Sequence, residues 1–198
     1  MILKIGITGG IGSGKSVISH LLRLMNVPVY DCDAESKRLV VENDDIRKHL
    51  TSLVGKALYN KSELDKQMLA SYIFDDESHL QAVNKIVHPV VKSDFYEWAA
   101  LQAKCFPIVG MESAILIDAG FKNAVDFVVN VSAPINLRIQ RAVIRDHSSA
   151  ELIQKRMDKQ LSDEERCRLS DITIWNDDVH PIIPQVFSFL CQLKQNNK

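Results

Sequence analysis

Ile7-Thr8-Gly9-Gly10-Ile11-Gly12-Ser13-Gly14-Lys15-Ser16 is the stretch that decides the fold. From Gly9 to Ser16 it satisfies GxxxxGK[ST] in full. The residues leading into it, Ile2 to Thr8, form a short aliphatic and β-branched run, as a buried strand should. Those after it place Val17, Ile18, Leu21, Leu22 and Met25 at helical spacing, until Asn26 and Pro28 stop the pattern. A glycine-rich loop between a strand and a helix is the setting in which this motif holds a polyphosphate. The backbone must wrap closely around the anion, so positions that lack a Cβ and tolerate positive φ are expected at Gly10, Gly12 and Gly14. Amides at the start of the helix, with its dipole, hold the charge. Lys15 is expected to reach the β- and γ-phosphates, and the Ser16 hydroxyl to ligate Mg²⁺. The expected ATP-binding run is thus Gly10, Ile11, Gly12, Ser13, Gly14, Lys15, Ser16 and Val17, the last mainly as packing. A glycine-rich turn with a solvated lysine does not account for the complete motif in this position.

Working outward, Val27 to Tyr30 reads as a second strand running into Asp31-Cys32-Asp33, and Ala34 to Val41 as the next helix. From about Asp44 to Lys104 the pattern is almost entirely helical, with turn signals at Asn60-Lys61-Ser62 and Asp75-Asp76. Strand character returns at Pro107–Met111, Phe127–Val131 and Ile172–Trp175. Helical spacing returns at Asn136–His147, Ala150–Leu161 and Ile182–Leu193. Strands alternating with helices imply a parallel sheet covered on both faces. The expected fold class is α/β: a P-loop NTPase fold with a five-stranded parallel sheet flanked by helices, a helical substrate-binding insertion and a helical lid. One domain is expected, with its core at 1–43, 105–135 and 170–198, the insertion at 44–104 and the lid at 136–169.

The chain has 198 residues, 46% hydrophobic, with 24 Lys+Arg against 25 Asp+Glu. Such a balance excludes a disordered chain and suits a single globular domain. Apolar runs such as Ala114–Ile117 fall far short of the roughly 20 residues of a membrane span, and the amino end shows no secretory pattern. A soluble cytoplasmic protein is expected, with no membrane partner. A net charge of -1 gives no broad electrostatic grip on nucleic acid, so any anion needs a specific site. Cys32, Cys105, Cys167 and Cys191 form no CxxC pair, and free, mostly packed thiols are expected.

The loop fixes the ligand and not the reaction. A GTPase switch would carry NKxD, but Asn60-Lys61-Ser62-Glu63 and Asn84-Lys85-Ile86-Val87 both lack Asp in the fourth place. The nearest Walker B strand, Ile108-Val109-Gly110-Met111-Glu112, is short. A small-molecule kinase needs a carboxylate near the acceptor hydroxyl and cations around the moving phosphoryl group. Asp31 and Asp33 follow the second strand, at the end where open α/β sheets bind ligands, and Asp33 is preferred. Its plainer reading is as the cap of a helix starting at Ala34. Arg138, Arg141 and Arg145 are three and four apart, so they share one helix face and suit a lid closing over ATP, or else a solvated basic face. Arg156 and Gln160 extend the pattern. His88 precedes Pro89, which should kink or start a helix, and by composition alone it reads as a structural histidine.

Taken with Val29-Tyr30-Asp31-Cys32-Asp33 and Val87-His88-Pro89, the loop makes the chain resemble the bacterial dephospho-CoA kinase family. The resemblance continues through Glu112–Gly120, Val131–Pro134, Arg138–Asp146, Arg156–Gln160 and Ser170–Asn176. It implies transfer of the ATP γ-phosphoryl group to the ribose 3′-hydroxyl of dephospho-CoA, the last step of coenzyme A synthesis, with ATP as co-substrate and Mg²⁺. It implies that the helical insertion binds the acceptor. It also implies catalytic Lys15, Asp33 and Arg141; ATP contacts at Arg145 and Asn176; and substrate contacts at Thr8, Asp33, His88 and Arg141. One departure stands out: where the family reads Pro-Leu-Leu-Phe-Glu, this chain reads Ala114-Ile115-Leu116-Ile117-Asp118. The small-molecule partners expected are ATP and dephospho-CoA, in a monomer or small homo-oligomer. Another small-molecule or nucleoside kinase, and a partner-stimulated ATPase switch, remain as alternatives.

Overall fold

Ile5 and Ile7 are wholly buried in β1 (Leu3–Thr8), the strand that delivers the chain to the glycine-rich loop. The computed structural model describes residues 2–61 and 63–196. In chain order α1 (Lys15–Leu24), β2 (Val29–Asp31), α2 (Cys32–Glu42), α3 (Asp44–Val54), β3 (Tyr59–Asn60), β4 (Glu63–Leu64), α4 (Lys66–Asp75) and α5 (Glu77–Gln102) follow. Then come β5 (Ile108–Glu112), β6 (Phe127–Ser132), α6 (Ile135–Asp146), α7 (Ala150–Met157), α8 (Asp163–Leu169), β7 (Ile172–Trp175) and α9 (Ile182–Asn196). The chain divides into two compact units, one running to Tyr30 and resuming at Ala99, the other Asp31–Trp98.

The first unit holds a five-stranded sheet in the order β2-β5-β1-β6-β7. β1 pairs in parallel with β5 (Leu3 opposite Ile108) and with β6 (Ile5 opposite Phe127), and β6 pairs in parallel with β7. On one face Ile5, Ile7, Val129, Val131 and Ile174 pack with Ile18 and Leu22 of α1 and with Val186, Phe189, Leu190 and Leu193 of α9. On the other face Gly6 leaves room for Leu116, since a Cβ there would lie 2.6 Å from its Cδ1. Leu116 is fully buried. The departing loop Ala114–Asp118 therefore supplies a plug for the core at its centre.

The second unit packs α2, α3, α4, α5 and the β3–β4 hairpin around Leu39, Ile46, Leu50, Leu58, Val87, Val91 and Phe95. Arg38 ties α2 to α5 through both oxygens of Asp94, at 2.9 and 3.0 Å, and holds Glu35 and Glu42 on its own helix. The hairpin interrupts the helical run expected for 44–104, because Lys61 adopts a left-handed turn (φ 55) and Tyr59 leaves helical geometry to donate its hydroxyl hydrogen to Val40 O at 2.8 Å. Arg47 caps the Tyr59 ring at 4.6 Å. Ser62 of the turn signal lies outside the described residues. Pro89 neither starts nor ends a helix: α5 runs through it, from Glu77 to Gln102. The thiols are free but not mostly packed, since Cys105 and Cys167 are exposed and Cys32 is buried. Among the described residues, no helix is long and apolar enough to cross a membrane.

Candidate active site

α1 begins at Lys15 directly after Gly14, which is left-handed (φ 90), and its first turn carries neither a side-chain cap nor an acidic residue. Most other described helices are capped by a side chain, as α2 is by Asp31 and α3 by Asn43. The amides at the start of α1 are thus left to an anion. Positive φ falls at Gly9, Gly12 and Gly14, not at Gly10 as expected. Gly10 is needed for a different reason: a Cβ there would fall onto the Arg138 guanidinium. At Gly12 both reasons apply, because φ is +75 and a Cβ would strike the Arg138 carbonyl.

Lys15 Nζ arches back over the loop, donating to the carbonyls of Gly9 at 2.8 Å and Gly10 at 3.2 Å. Ser16 is exposed one position further on. A hard hydroxyl oxygen beside an uncapped helix start suits Mg²⁺, which takes one or two protein oxygens together with phosphate and water. Among the described residues no group of three or more His, Cys, Asp or Glu side chains converges to hold a metal ion. Ser13 Oγ is buried without a hydrogen-bond partner. Val17, expected to pack, is 46% exposed because it sits on the outer side of α1.

Asn176, buried just past β7, donates from Nδ2 to Ser13 O at 2.8 Å and so joins the post-β7 turn to the loop. Arg141 fixes the same turn, donating to Asn176 O at 2.8 Å and to Asp178 at 2.7 Å. Asp177 braces it by accepting from the Val179 and His180 amides and pairing with the His180 ring at 2.7 Å, which holds its carboxyl down at about 2. A cavity of about 590 Å³ opens there, lined by Leu21, Asn176, Val179, His180 and Ile182 among others.

The three arginines expected to form the lid differ sharply although they share a helix. Arg138 is 4% exposed and bonded to the phosphate loop, so neither a solvated face nor a swinging cation describes it. Arg145 turns away to Asp146 at 2.7 Å and is 61% exposed. Asp146 also accepts from Arg156, and the two guanidiniums hold its carboxyl near 2. Thr8 is buried at the end of β1, paired with Asn130 of β6. Two groups escaped the sequence reading: α8, and the pairing of Asp163 at its start with both Arg138 and Arg166.

In the second unit, the helix after β2 starts at Cys32, and Asp31 caps it by accepting from the amides of Asp33 and Ala34 at 3.0 Å each. Asp33 is therefore not the cap; its exposed carboxylate lies in the first turn. His88 lines a cavity of about 530 Å³ with Lys37, Lys66, Asn84 and the apolar side chains Val40, Leu69 and Val83 among others. Burial holds the His88 imidazole below its ordinary value. The unfolded chain takes a proton there near pH 6.5, the folded chain only lower, so this group's contribution to stability is full above about pH 6.5 and declines as the pH falls through the folded value. Thermal unfolding at pH 7.5 and 5.5 should therefore show a smaller acid-side loss in His88→Gln than in the parent. Equal losses in both proteins would remove His88 as the source.

The family model for dephospho-CoA kinase matches residues 3–181. A dephospho-CoA kinase of Bacteroides fragilis (strain YCH46) is 49% identical over 195 residues, which are 98% of this chain and 95% of the relative. A solved dephospho-CoA kinase from Campylobacter jejuni superposes with a TM-score of 0.73 at 19% identity, covering 100% of both chains. A shikimate kinase from Acinetobacter baumannii in complex with shikimate gives 0.56 at 18% identity, covering 100% of this chain and 96% of its own. At those identities the two structures speak for the fold alone, a five-stranded α/β kinase fold.

Proposed function

Because this chain belongs to the dephospho-CoA kinase family, we propose that its phosphate loop holds ATP and that its helical unit, Asp31–Trp98, holds the acceptor. The chain is a kinase that phosphorylates dephospho-CoA with ATP, in coenzyme A synthesis. The observation that carries this reading is the reach of the likeness: 98% of the chain aligns with the Bacteroides relative, so the helical unit is included along with the loop. A kinase for another small molecule shares the scaffold, as the shikimate kinase does over the whole chain, but at 18% identity against 49%.

On the donor side, the amides opening α1 and the Lys15 ammonium would hold the β- and γ-phosphates. The cavity beside Asn176 would receive the adenine, its position relative to the loop set by the Asn176–Ser13 hydrogen bond. Ser16 Oγ would hold Mg²⁺, which would supply positive charge to neutralise the phosphates. Arg141, anchored on Asn176 and Asp178, is the lid cation assigned to the moving phosphoryl charge. Arg145, paired with Asp146, is assigned a more peripheral ATP contact.

On the acceptor side, Asp33 would accept the proton of the ribose 3′-hydroxyl. The cavity on α2 and α5 offers apolar walls for the pantetheine arm and Lys37 and Lys66 for the diphosphate, with His88 on its wall. Little covalent work falls to the protein; positioning and charge do most of it.

The deciding assay incubates purified protein with ATP, Mg²⁺ and dephospho-CoA and looks for the 3′-phosphorylated product, with nucleosides and shikimate as competing acceptors. Coenzyme A is the expected product. Its absence in a preparation shown to bind ATP, or a better rate with another acceptor, would overturn the assignment.

A further inference from the structure

We propose that Arg138 and Gln160 are positioning residues that fix the tip of the phosphate loop, making nucleotide affinity depend on two side chains outside the loop. Three attachments converge on one loop residue, Ile11. Its N–H donates to Gln160 Oε1 at 3.0 Å. Its carbonyl accepts from Arg138 Nε at 2.9 Å. Its side chain packs, with Ile139 and Val143, against Ala142, Ile153 and Met157 of α6 and α7. Both hydrogen-bonding groups and the side chain of Ile11 are thus engaged by residues 135–160, more than a hundred positions away in sequence.

The need for such a device follows from the composition of the loop. Gly9, Gly10, Gly12 and Gly14 give it the freedom to wrap around phosphate, and that same freedom is conformational entropy that must be lost when the loop is frozen. A loop already frozen presents its amides to the anion without that cost at binding. Arg138 does the freezing from both sides of Ile11, since its guanidinium occupies the space above Gly10 and its carbonyl the space above Gly12. The guanidinium is itself held. Its NH1 lies 2.5 Å from Asp163 Oδ2, and the other oxygen of Asp163 accepts from Arg166 at 2.8 Å. Arg166 is 3% exposed and also donates to Leu161 O at 2.7 Å. A buried cation anchored in this way does not swing out to follow a ligand. Arg138 is accordingly separated from Arg141, and its task is assigned to the loop.

The inference rests on the reading of the loop as the ATP site. Arg138→Met probes it most directly, but that change takes a buried cation out of its pairing with Asp163 and can unfold the region. Gln160→Met carries the test instead, because Gln160 is only half-buried and the substitution removes the acceptor while keeping the length. The expected result is a rise of about fivefold in KM for ATP, the cost of one lost hydrogen bond. KM for dephospho-CoA should stay within about twofold, a split that a general loss of structure would not give, and hydrogen exchange at the Ile11 amide should accelerate. An unchanged KM for ATP, a parallel rise in both KM values, or unaltered Ile11 exchange overturns the inference. Lys15→Ala in the same assay separates the two failures. If Lys15→Ala abolishes turnover while Gln160→Met behaves as the parent, the positioning role alone is wrong. If Lys15→Ala is also without effect, the ATP site itself is misassigned and the inference falls with it.

Discussion

Lys15→Ala lowers kcat/KM for ATP about 10³-fold while the protein stays folded. The magnitude lies between the loss of a single preorganised donor and the loss of a cation that meets the transferring phosphoryl group, which span about 10² to 10⁵. Lys15 belongs at the middle of that range because its ammonium already lies over the loop, on the Gly9 and Gly10 carbonyls, and has little distance to travel to a phosphate. The same two hydrogen bonds bound the structural cost. They are only partly buried, so their loss removes about 1 kcal/mol each at most and shifts the unfolding midpoint by a few degrees. A coupled ATP assay and a thermal scan on the same preparation check both halves. A loss of less than tenfold in kcat/KM would show that Lys15 is not the phosphate cation.

Asp33→Asn is the second large effect, a fall of about 10² to 10⁴ in kcat, the usual range for a removed general base. The geometry of α2 makes this variant clean. The helix is capped by Asp31, which accepts the Asp33 and Ala34 amides, so the Asp33 side chain can lose its charge without uncapping anything. Asp31→Ala supplies the contrast: it should cost about 1 kcal/mol of stability through the lost cap while retaining much more of the turnover. If Asp33→Asn retained more than a tenth of the parental kcat, or was destabilised as much as Asp31→Ala, the proton-accepting role would be lost and the residue would be structural after all.

What could be read in the sequence, and what could not, follows from the range of the interactions involved. The phosphate loop, the strand before it and the helix after it were legible because glycine spacing and aliphatic periodicity are local signals. So were Ile172–Trp175, whose strand bounds match the prediction, and the turn at Asp75-Asp76. The β3–β4 hairpin was not, because it has two residues per strand and is fixed by Tyr59 reaching Val40 and by Arg47 stacking on Tyr59. At Gly10 the need for a missing Cβ holds and the positive φ does not, and the obstacle to a side chain there is Arg138, 128 positions later. The arginine stripe was the most misleading local pattern. Spacing of three and four puts the side chains on one helix face, but only the tertiary partners Ile11, Asn176 and Asp146 separate a loop clamp, a turn anchor and an exposed ion pair.

The strand order has a consequence for how the molecule is made. β1 lies at the centre of the sheet, and its neighbours are β5, opposite at Ile108, and β6, opposite at Phe127. During elongation β1 has no neighbour to pair with until more than a hundred further residues have been added. By then the whole of Asp31–Trp98, with its own core, has already been made. Closing so long a loop is the slow kind of step in folding. The nucleotide loop at the end of β1 is therefore synthesised long before the residues that support it, Arg138 and Gln160.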